Sequence, residues 1–73
     1  MAYDYRKLIG RIAEKVGTQA KFAEQMNLSE RTISLKLNCK IGWKQEEISK
    51  ACTILDIEPE NIPFYFFTEE VQY

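Results

Sequence analysis

Histidine is absent from this chain of 73 residues, and that gap removes several chemistries at once. No Ser-His or Cys-His pair can activate a nucleophile. Cysteine is nearly as scarce, with only Cys39 and Cys52. A zinc site would have to borrow carboxylates, and a reducing cytosol would keep both sulfurs as thiols. Three scattered glycines form no phosphate-cradling loop. No apolar run is long enough to span a membrane, and no succession of basic, apolar and small residues marks a secretory signal. The acids Glu46-Glu47 and Glu69-Glu70 are sequence neighbours, so on a helix they diverge and read as solvated surface rather than acid/base partners. The expectation is a cytoplasmic protein that is not an enzyme and needs no metal or cofactor.

What is present suffices for one small core. Hydrophobic residues make up 45% of the chain, which favours a globular domain over a disordered tail, and 73 residues allow a single domain spanning 1–73. The net charge of −1 hides an asymmetry. All ten Lys and Arg lie between Arg6 and Lys50, where only six acids oppose them, so residues 1–50 carry +4. The last twenty-three residues hold Asp56, Glu58, Glu60, Glu69 and Glu70 with no base, hence −5. A partner meets the local field, and two-thirds of the chain is mildly basic.

Hydrophobic periodicity predicts helices. Tyr5, Leu8, Ile9, Ile12, Ala13 and Val16 form an apolar stripe, with Arg6, Lys7, Arg11 and Lys15 off it. Asp4 suits an N-cap, Tyr3 can staple onto Leu8, and Gly17 suits a left-handed stop. Thr18 then caps "QAKFAEQM", with Phe22, Ala23 and Met26 inward. Asn27 tolerates the positive φ that a sharp turn demands. Ser29 caps "ERTISLKLN", with Leu28 stapling onto Ile33 and Leu37 continuing the stripe. After the loop "CKIGW" comes "KQEEISKACTIL", with Ile48, Ala51, Cys52 and Leu55 on one face. Trp43 and Ile48 have staple spacing, and Glu47 can reach back to the Lys44 amide although lysine is itself a poor cap. Ile57 closes the core, and Pro59 and Pro63 bracket a short turn at most. "FYFF" follows and is readable as extended; four consecutive aromatics cannot all face inward. An acidic, aromatic tail runs over about 59–73. Helices joined by three residues at a sharp turn, over about 18–38, make a helix-turn-helix in an all-α, four- to five-helix fold.

The stretch "TQAKFAEQMNLSERTIS" resembles the signature of the Cro and lambda-repressor-like helix-turn-helix regulators. Gln19, Ala23, Asn27, Leu28, Ser29, Ile33 and Ser34 match it, and the likeness extends from about Tyr5 to Ile57. The whole chain is similar to small Cro-like regulators of phages and prophages of Gram-positive bacteria. The resemblance implies a transcriptional regulator in a bacterial host cytoplasm, at the nucleoid when bound to DNA. It assigns Gln19 to a phosphate, beside Thr18 at the same helix start. Ser29, Glu30, Arg31 and Ser34 would face base edges, with Leu35 and Asn38 further along that side. Lys40 and Lys44 would clamp the second phosphate strand. Arg can grip guanine bidentately, and Lys neutralises phosphate.

Three positions depart from the pattern. Glu30 either accepts from a cytosine amine or serves as a favourable charge in the first helical turn. Leu35 either touches a thymine methyl or marks a protein contact. Lys36 falls where relatives bury an aliphatic residue, so Leu37 is expected to take the core while Lys36 reaches water. Two functions therefore stand. One is a Cro-like repressor on a double-stranded DNA operator, as a homodimer if the C-terminal aromatic segment pairs. The other is an antirepressor or modulator that binds a partner phage repressor, for which an acidic and apolar surface is suited.

Overall fold

The computed structural model describes residues 3–69; Glu70 and the rest of the expected tail lie outside the described residues. The chain is all-α: α1 (Arg6–Lys15), α2 (Gln19–Met26), α3 (Glu30–Leu37), α4 (Gln45–Leu55) and α5 (Ile62–Phe66), with a 3₁₀ turn at Pro59–Asn61 before α5.

Each boundary has a local cause. The Asp4 carboxylate accepts from the Arg6 amide at 3.0 Å and pairs with its guanidinium at 2.7 Å. Those side-chain and backbone bonds from Arg6 hold the Asp4 carboxyl down to about 2. α1 ends where Gly17 takes φ 109°, a conformation that an L side chain resists. Thr18 Oγ1 accepts from the Lys21 amide at 3.1 Å, and Ser29 Oγ accepts from the Thr32 amide at 3.0 Å. Between these caps Asn27 sits at φ 59°, and the Leu28 amide bonds back to the Ala23 carbonyl at 2.9 Å. The turn is thus three residues long. At α4 the Lys44 amide donates to Glu47 Oε1 at 2.8 Å, which is the half capping box that the sequence offers.

Phe22, Phe66, Leu8, Ile12, Ile33 and Leu55 are sealed from solvent, each contributing roughly 2–3 kcal/mol by burial. Ala23 and Ala51 are also buried, small residues where helices approach closely. The α1 stripe is narrower than its periodicity suggests. Tyr5, Leu8 and Ile12 are buried, whereas Ala13 is exposed and Ile9 is 36% exposed. Arg11, read as off the stripe, is half-buried. Its Nε donates to the Leu55 carbonyl and its Nη2 to the Asp56 carbonyl, both at 2.9 Å. A cation therefore closes the C-terminal end of α4.

The "FYFF" segment is helical rather than extended. Pro63 lies in the first turn of α5, where its missing amide costs nothing. Phe66 enters the core, Tyr65 is half-buried, and Phe64 and Phe67 are each 48% exposed. The chain then returns to its start: the Asp4 amide donates to the Thr68 carbonyl at 2.7 Å, beside an antiparallel bridge between Tyr3 and Glu69.

Candidate functional site

α3 presents the expected face only in part. Glu30 and Arg31 are exposed, and neither side chain has an ion-pair or hydrogen-bond partner among the described residues. Lys40 and Lys44 are exposed, with no ion pair to either ammonium among those residues. Ser29 and Thr18 are exposed but already engaged as caps, and Ser29 Oγ lies 2.8 Å from Thr32 Oγ1. Asn38 turns its amide onto its own helix, donating to the Ser34 carbonyl at 2.8 Å and contacting Ser34 Oγ at 3.4 Å. Gln19, Ser34 and Leu35 are half-buried. Of the expected contacts, Arg31, Lys40 and Lys44 are cations without a partner among the described residues, and Glu30 beside Arg31 is an acid in the same state.

Lys36 does not reach water. It is 3% exposed, and its ammonium donates to the Gly42 carbonyl at 2.9 Å and to Glu47 Oε1 at 2.6 Å. The ring of Trp43 lies 5.6 Å from it. The alkyl stem fills core space, and a buried ammonium persists only when its charge and donors are matched. Burial pushes the Glu47 carboxyl up, but the hydrogen bond from Lys36 and that from the Lys44 amide outweigh it, so the group titrates below its ordinary 4.5.

This clamp fixes the link between α3 and α4. Cys39 adopts φ 61° without being glycine or asparagine. Its amide bonds to the Lys36 carbonyl, the Lys40 amide to the Leu35 carbonyl, and its thiol donates to the Tyr3 carbonyl at 3.0 Å. Both cysteines are free thiols. Beyond the link opens a cleft of about 310 Å³ lined by Tyr3, Tyr5, Ile41, Trp43, Phe66 and Phe67, among others. Trp43 meets Phe66 edge-on at 5.3 Å, and Tyr3 meets Phe67 edge-on at 5.8 Å. Ile41 and Phe67, on its rim, are 41% and 48% exposed. The buried Trp43 Nε1 has no hydrogen-bond partner among the described residues, a lapse that costs about 1–3 kcal/mol.

Trp43 is half-buried and packs against the core beside Ile48, in keeping with the staple. The cleft itself was not foreseen. Its one visible signal is aromatic density, Trp43 together with "FYFF", two places twenty-one residues apart in sequence that the fold brings together. The outcome is a mixed surface. Its α3 portion is polar with cations, and where the helix ends it passes into an aromatic, uncovered hollow suited to an apolar anchor from another protein.

Over residues 1–69 the chain matches the family model described as "Protein of unknown function (DUF739)". It belongs to that family. No curated protein matches it. It is similar to a solved structure, the solution structure of the modulator of repression of the temperate bacteriophage TP901-1 from Lactococcus lactis. That likeness has 56% identity and a TM-score of 0.81, covering 99% of this chain and 97% of that one. Among the described residues, no helix is long and apolar enough to cross a membrane.

Proposed function

We propose that this DUF739-family protein modulates repression by binding a partner repressor in the bacterial cytoplasm, without catalysis, rather than by reading an operator on its own. The observation that carries the reading is the likeness to a phage modulator of repression, 56% identical across 99% of the chain. The surface supports it. A DNA-reading face gains nothing from an aromatic cleft with exposed Ile41 and Phe67, whereas a protein interface is built around such apolar anchors. Leu35 and Glu30 fit a protein contact on the adjoining helix.

A second reading, direct operator binding, is favoured by the three-residue turn before α3 and by the free cations Arg31, Lys40 and Lys44. The two readings part at Glu30 and Leu35. If the protein binds a repressor, Leu35→Ser weakens that complex by about 1–2 kcal/mol and Glu30→Gln by less, with little change in DNA affinity. Both variants, checked for folding by melting curves, are titrated with the repressor encoded beside the gene and with its operator. Altered base preference in Glu30→Gln, with no repressor complex from the parent, would contradict the proposal.

A further inference from the structure

Among the described residues, Asp56, Glu58 and Glu60 form a cluster of acids without an ion pair, away from α3. A groove of about 540 Å³ runs between α4 and the segment leading into α5. Its floor is apolar, made by Ile48, Cys52, Ile57 and Ile62, and its edge carries Asp56 and Glu58. No lysine or arginine lines it. Glu60, two residues on, is exposed like Asp56 and Glu58, and none of the three carboxylates has an ion pair among the described residues. Of the cations nearby, Arg11 spends its guanidinium on the Leu55 and Asp56 carbonyls and on Glu14, and Lys50, in the adjoining hollow, donates to the Met26 carbonyl.

We infer that this groove is a docking site for a basic, apolar-anchored segment of the partner repressor's DNA-binding face. The inference rests on the proposed repressor partnership and adds where the charge of that partner is met. Any repressor must present several Lys or Arg to phosphates on one face. α3 and the link that follows it, with Arg31, Lys40 and Lys44 against Glu30, have the wrong sign to cover such a surface. The groove has the right one. Three carboxylates within five residues offer what a phosphate strand offers, and the apolar floor offers what DNA cannot. Occupation would therefore compete directly with the operator.

The test compares the parent with a triple variant, Asp56→Asn/Glu58→Gln/Glu60→Gln, and with Thr53→Lys, which sets a cation on an exposed position of the groove lining. Affinity for the repressor encoded beside the gene is measured by calorimetry at low and high salt, with Glu24→Gln on exposed α2 as control. The expected result is about tenfold weaker binding for the triple variant and for Thr53→Lys at low salt, converging on the parent at high salt, with the control unchanged. Repressor binding that is equal in parent and variants at both salts overturns this inference and leaves the partnership standing. No repressor binding by the parent overturns both. If instead the parent self-associates in ultracentrifugation and the variants do not, the groove's occupant is a second copy and the inference fails.

Discussion

At its N-terminal end α4 receives a buried ammonium, and at its C-terminal end it leaves carboxylates in water. Glu47 accepts from the Lys36 ammonium, which also donates to the Gly42 carbonyl, and from the Lys44 amide. Asp56 stands at φ 55° where the helix dipole is negative, a place that glycine or asparagine would fill with less cost. Its amide donates to the Cys52 carbonyl and its carbonyl accepts from Arg11, but its carboxylate has no ion pair among the described residues. The first end spends its charges inward and holds the α3–α4 link rigid beside the aromatic cleft. The second keeps them available. A charge that folding consumes supports the site, and one that folding leaves unmatched is free to meet a partner.

The largest expected effect comes from breaking the consumed pair. Lys36→Met should destabilise the protein by about 3 kcal/mol, because Glu47 is then left largely buried without its counter-charge. Adding Glu47→Gln should recover most of that loss, since an amide still accepts from Lys44. Urea titration of both variants measures the coupling, and equal losses in single and double variants would mean that packing alone is at stake. The pH dependence follows the same pair. Glu47 and Asp4 both titrate below their ordinary values, so their stabilisation is full above about pH 4.5 and is lost as pH falls through the lowered values, toward about 2 for Asp4. The double variant should show a shallower acid loss than the parent.

Arg11→Met should cost about 1–2 kcal/mol and speed hydrogen exchange at the Ile57 amide, which bonds to the Cys52 carbonyl at the helix end. Unchanged exchange there would separate Arg11 from the α4 terminus.

Asp56→Asn sharpens the contrast in the opposite direction. It should stabilise the fold by a few tenths of a kcal/mol, since asparagine keeps the left-handed cap and removes a charge from the wrong helix end. The same change should weaken the repressor complex. A variant that gains stability and keeps full affinity would make Asp56 a mere local flaw.

Much of this fold is legible from short-range rules. Asn27, Gly17, Thr18 and Ser29 announce their turns and caps because the causes lie within four residues. The burial of Lys36 is not legible, because helical spacing allows either 36 or 37 to face inward and its partner Glu47 comes eleven residues later on another helix. Arg11 is a similar case, its acceptors lying 44 and 45 residues away. Cys39 gave no warning of its positive φ, since cysteine is not a turn residue. The motif around α3 marks two helices joined by three residues, but it is silent on what that face binds. The cleft beside it depends on Tyr3, Trp43 and Phe67 meeting in space, and the groove on a lining that carries Asp56 and Glu58 but no lysine or arginine.

The smallest effect is expected at Arg31. If repressor binding is the function, Arg31→Ala lowers DNA affinity by about 0.5 kcal/mol, equally on operator and random duplex, as loss of a phosphate contact would. A loss of about 1–3 kcal/mol confined to the operator would mark a base reader.

The central claim is tested most directly by releasing a repressor from its DNA. Fluorescently labelled operator, saturated with the repressor encoded beside the gene, is titrated with this protein while anisotropy is followed. The account predicts that anisotropy falls to that of free DNA near equimolar protein, and that the protein alone shows only weak, salt-sensitive and sequence-blind binding. Tight binding of the protein alone to the operator, about a thousandfold over random DNA, with no displacement of the repressor through protein contact, would contradict it.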